Sequence, residues 1–116
     1  MDNKYLYRSS LKNKDIPRFS MMGIVSELIL SKEVFHKNSD IEVFLKDIFN
    51  VEFRNYVIKS RTLIVSRVIR TIDKSTDDDY STYRARLLKF IDSLYEIEKS
   101  KKDVNKTAAS QWVISK

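Results

Sequence analysis

Cysteine is absent from this 116-residue chain. That excludes a disulfide framework, a thiolate metal site and a cysteine nucleophile, and it fits a reducing, cytoplasmic setting. Glycine and proline occur once each, as Gly23 and Pro17. So few turn formers leave little from which to build hairpins, bulges or phosphate-cradling loops, and an all-α fold is favoured. His36 is the single histidine. A metal centre or a hydrolytic triad needs several partners in the right geometry, so His36 reads as a surface residue after the first helix.

Long apolar runs are missing too. The stretches near Met21 and Val57 meet charged residues well before the roughly 20 residues that a membrane span requires. The first ten residues mix polar and aromatic types rather than leading from a basic segment into an apolar one, so no signal peptide is expected. The expectation is therefore a non-enzymatic protein with no cofactor, no metal, no membrane and no small-molecule substrate.

Against these absences stand 22 basic and 16 acidic residues, a formal net charge of +6 and 42% hydrophobic residues. The length suits one domain with one core. A basic balance favours polyanions as partners, and here the charge is segmental. Glu27, Glu33, Asp40, Glu42, Asp47 and Glu52 outnumber Lys32, Lys37 and Lys46, whereas Arg54, Lys59, Arg61, Arg67 and Arg70 run without an acid between them.

Residues 1–18 hold Lys4, Arg8, Lys12, Lys14 and Arg18 with no evident helical period, and read as a basic N-terminal arm ending at Pro17. From Ser20 the set Met21, Ile24, Val25, Leu28 and Ile29 follows helical spacing and predicts a helix to about Phe35. Ser39 and Glu42 have capping-box spacing, and Ile41, Phe44, Leu45, Ile48 and Phe49 form the stripe of a second helix. A continuous helix over 51–72 would force Arg54 and Arg61 into its apolar arc, where unpaired charge is costly. A break near Lys59–Arg61 avoids this, giving helices over 52–59 and 61–73 with Ser60 as cap of the second.

Asp77, Asp78 and Asp79 lack the alternation and central glycine of a calcium loop, and read as acids at the start of the next helix. Tyr80, Tyr83, Leu87, Phe90, Ile91, Leu94 and Ile97 give that last helix its stripe. Beyond Glu98 the apolar period ends, and 99–116 reads as a basic, flexible tail carrying Trp112. The predicted architecture is thus a compact all-α bundle of four to five helices over 19–98, with flexible basic termini.

Within it, KSRTLIVSRVIR over 59–70 has a distinctive face. Ile64, Val65, Val68, Ile69 and Ile72 would point inward, leaving Thr62, Ser66, Arg67 and Arg70 outside. Arginine and hydroxyl side chains are the types that grip phosphates, and arginine also reads guanine edges. The stretch TLIVSRVIR resembles the recognition helix of helix-turn-helix repressors, in which a serine and an arginine reach DNA. Ile58 and Lys59 stand where that family has a small residue and a turn glycine. Residues 40–49 with K-S-R-x-L-I also resemble the two-helix SAP module, without its turn glycine.

The residues expected to contact nucleic acid are Lys59, Arg61, Thr62, Ser66, Arg67 and Arg70. DNA is favoured over RNA, because a helix suits the major groove and no stacking sheet is predicted. The protein would act as a regulatory or accessory factor. The plain alternative for this face is a solvated basic surface. The rival function is a protein-interaction or assembly subunit, or a homodimer, docking through helix 80–97 and the C-terminal tail.

Overall fold

Tyr7 and Leu11 lie four residues apart, one helical turn, and both are buried. In the computed structural model they form the inner edge of a helix where an unstructured arm was expected. The structure describes the backbone of residues 4–115 and the side chains of residues 5–97. Six helices occur among the described residues, with no strand. They are α1 (Lys4–Lys12), α2 (Arg18–Leu30), α3 (Asn38–Phe49), α4 (Asn55–Ile58), α5 (Arg61–Lys74) and α6 (Asp77–Ser115). The described residues are all-helical as expected, and the helix beyond the expected four to five is α1, in the segment read as an arm.

α1 packs on α6 and touches α2. Two buried residues were too short a signal to stand out among five nearby cations. Beyond it, Pro17 is the extended residue that precedes α2, so this helix begins at Arg18 rather than Ser20. It also ends at Leu30, five residues before the predicted end, and residues 31–35 close as a turn in which Phe35 N donates to Ser31 O at 3.0 Å. Phe35 nonetheless stays in the core.

The predicted capping box of Ser39 and Glu42 does not form. Asp40 Oδ2 instead accepts from Lys37 N at 3.3 Å, so α3 opens one residue before Ser39. Its buried face is the predicted one, Ile41, Phe44, Leu45, Ile48 and Phe49. Asn50 ends the helix in the left-handed region, φ 54°, which Asn tolerates better than most residues.

The break between α4 and α5 lies where charge avoidance places it. The side chain of Ser60 accepts from Leu63 N, capping α5. Among the inward residues, Ile64, Val68 and Ile72 are buried, but Val65 is half-buried and Ile69 is exposed. α6 opens on Thr76, whose Oγ1 accepts from Asp79 N at 3.1 Å, with three aspartates in the first turn complementing the helix dipole. Its backbone continues to Ser115, well beyond Glu98. The segment after Glu98 contains neither proline nor glycine, so nothing in it terminates a helix even though its apolar period has ended. The side chain of Trp112 lies outside the described residues.

The core joins these elements through Phe35, Phe44, Phe49, Tyr83 and Phe90. Phe44 and Phe90 lie 4.8 Å apart, and Phe49 and Tyr83 4.9 Å, both edge-on, which fastens α3 to α6. Leu87 and Ile91 of α6 are fully buried beside them. α2 and α5 form the other main pair, antiparallel, with Arg18 at the C-terminal end of α5.

Arg18 donates to Ile72 O at 2.6 Å and to Ser75 Oγ, pairs with Asp77 at 3.3 Å, and lies over the Tyr80 ring at 4.7 Å. Tyr80 Oη in turn donates to Ile16 O at 2.6 Å. Burial raises the Tyr80 hydroxyl above its ordinary pKa of 10.0, opposed by the nearby positive charge of Arg18 and Arg84. One turn further along α6, Arg84 Nη1 donates to Leu11 O at 2.7 Å, closing the end of α1. Among the described residues no helix is long and apolar enough to cross a membrane.

Candidate nucleic-acid interface

Of the six residues singled out by sequence, Arg61 is the one whose position contradicts the expectation. Its guanidinium turns inward. Nε donates to Asn38 Oδ1 at 2.9 Å, Nη1 to Ile29 O at 3.0 Å and Ser31 O at 3.3 Å, and Nη2 to Phe35 O. Asn38 completes the set by donating to Ile58 O at 2.7 Å. The planar fork therefore satisfies the orphan carbonyls at the end of α2 and the turn after it, a structural duty that commits four of its five N–H donors within the fold. Sequence reasoning recognised that Arg61 did not belong in an apolar arc, but assigned it to solvent instead of to the carbonyls of another helix.

The other five lie at the surface or near it. Lys59 and Ser66 are exposed. Thr62 is exposed and its hydroxyl shares a 3.1 Å hydrogen bond with Ser60. Arg67 is half-buried, and its Nη2 donates to Tyr56 Oη at 3.3 Å. Arg70 is exposed, with no hydrogen bond or ion pair among the described residues. Neither Arg67 nor Arg70 is matched with a carboxylate there.

At 100° per residue, Leu63, Arg67, Arg70 and Lys74 fall within about 60° of one another on α5. Ser66 borders this stripe on one side, and Thr62 lies further round. The extra cation, Lys74, was missed because the predicted helix stopped at 73. Tyr56, 57% exposed on α4, was missed as well. The signal available for it was its place three residues before Lys59, in the run of five bases.

α5 packs on α2 and α4, and the main contacts of α6 are with α1 and α3. The C-terminal helix does not blanket the α5 stripe among the described residues. The stripe of α6 itself is largely engaged. Leu87 and Ile91 are buried, while Tyr80, Tyr83, Leu88, Phe90 and Leu94 are partly buried against the core. Of the three aspartates opening α6, Asp77 pairs with Arg18. Among the described residues no group of three or more histidine or acidic side chains is placed to hold a metal ion.

The chain matches no family model, no curated protein and no solved structure.

Proposed function

We propose that this protein is a non-catalytic nucleic-acid-binding factor, regulatory or accessory in role, that grips the phosphate backbone through the exposed face of α5. Arg67 and Arg70 supply the charge, Lys74 extends it, and Ser66 and Lys59 add polar contacts at its margin. In this reading α4, the turn at Lys59–Ser60 and α5 serve as a helix-turn-helix-like element with DNA as the favoured ligand. The observation that carries the proposal is that two neighbouring guanidinium groups stand on one helix face without a carboxylate partner among the described residues. Guanidinium groups so arranged are suited to bidentate contact with phosphate.

The decisive experiment pairs Arg67→Glu with Arg70→Glu and measures binding to a short oligonucleotide by fluorescence anisotropy. Replacing two phosphate-binding cations by repulsive charge should weaken affinity at least about 100-fold at moderate salt while leaving the helical circular dichroism unchanged. The salt dependence of the unaltered protein should be steep, and in the double variant the slope of log K against log salt should shrink by roughly 0.7–0.9 for each phosphate no longer neutralised. Unaltered affinity in the double variant would sink the proposal. The rival reading, docking through helix 80–97, loses ground because most of that stripe is occupied inside the bundle.

A further inference from the structure

Tyr56 is the side chain that the phosphate grip does not account for. It sits on a single helical turn whose next two residues, Val57 and Ile58, are buried, so the ring is mounted on a fixed base. Its hydroxyl accepts from Arg67, which places it beside the cationic stripe, yet the side chain remains 57% exposed. Arg54 and Lys59, both exposed, flank α4 in the chain. One exposed tyrosine is ordinary on a protein surface. A tyrosine held by the arginine of a polyanion stripe, with further cations on either side in sequence, is the combination that single-strand binders use: stacking on the ring, charge along the backbone.

Resting on the phosphate grip proposed above, and replacing its helix-turn-helix-like docking on a duplex, we infer that the ligand of this site is a single-stranded polynucleotide. One unpaired base stacks on Tyr56, and the phosphates on one side of it run along Arg67, Arg70 and Lys74. The three cations span eight residues of α5, seven steps of 1.5 Å or about 10 Å along the axis. Inside a duplex the faces of the bases are covered by their neighbours and only the edges are accessible, so an exposed ring gains nothing from an intact helix. A single strand presents both face and phosphate. The hydrogen bond from Arg67 fixes the ring before the ligand arrives, which lowers the ordering cost of binding.

The test is fluorescence anisotropy of the full chain with labelled 15-mers: oligo-dT, oligo-rU, and the duplex of oligo-dT with oligo-dA. The unaltered protein should bind at least one single strand about tenfold or more tightly than the duplex, and the two single-strand arms separate a DNA ligand from an RNA one. Tyr56→Ala should weaken single-strand binding by roughly tenfold, as loss of one stacked base does, and leave the weaker duplex binding unchanged. Tyr56→Phe should keep most of the affinity, since the ring is retained. Equal or tighter duplex binding, or no effect of Tyr56→Ala where Arg67→Glu with Arg70→Glu is still disruptive, would overturn the single-strand inference and spare the nucleic-acid reading. Failure of the unaltered protein to bind any of the three would overturn both.

Discussion

A guanidinium and an ammonium carry the same charge, yet only the guanidinium has the flat, five-donor shape that reaches several acceptors at once, which is how Arg61 is used. Three carbonyls from the end of α2 and the following turn, together with Asn38, receive its hydrogen bonds. Arg61→Lys should therefore destabilise the fold almost as much as Arg61→Met, by about 2–4 kcal/mol, because either leaves partly buried carbonyls unsatisfied. Urea denaturation measures this loss, and oligonucleotide affinity in the remaining folded protein should be unaffected.

Tyr80 gives a different kind of prediction. Its hydroxyl holds its proton more tightly in the folded protein than in the unfolded chain, so the unfolded state ionises first and stability falls as pH climbs above 10.0. Below that pH the contribution is fully present. Tyr80→Phe should cost about 1 kcal/mol at neutral pH by removing the hydrogen bond to Ile16 O, and should flatten part of the alkaline decline. Tyr83, also raised chiefly by burial, would sustain the remainder. Thermal melts between pH 8 and 11 check both signs.

At the level of helices, periodicity served well where an apolar stripe was long and charge lay opposite it. α3 and the first half of α6 were legible for that reason, and the placement of Ser60 followed from the cost of burying arginine. Boundaries were less legible because they were settled by partners remote in sequence. α2 ends at Leu30 where Arg61 collects its carbonyls, and no local residue announces this. α1 was misread because only Tyr7 and Leu11 mark its inner side, and their burial depends on α6. Leu11→Ala separates a docked helix from a loose arm: a fully buried leucine should cost about 2–5 kcal/mol in urea denaturation, whereas a residue in an arm would cost almost nothing. The candidate site divided along the same line. Residue type singled out Arg67 and Arg70, but the contrast between inward Arg61 and outward Arg67 is set by tertiary hydrogen bonds that spacing does not encode.

Across the whole molecule, six of the cations fall into two sets with different surroundings. Arg18, Arg61 and Arg84 face the ends of α5, α2 and α1, while Arg67, Arg70 and Lys74 line one side of α5. Net charge alone could not distinguish them, because +6 counts a guanidinium tied to carbonyls and one left at the surface alike. Helix ends ordinarily fray, and their amides trade protons with water long before the rest of the protein opens. Here each of three ends is tied by a side chain from 32 to 73 positions away in the chain. Deuterium uptake near residues 11, 29 and 72 should accordingly be as slow as in the bundle interior, and each arginine removed should release its own distant terminus first.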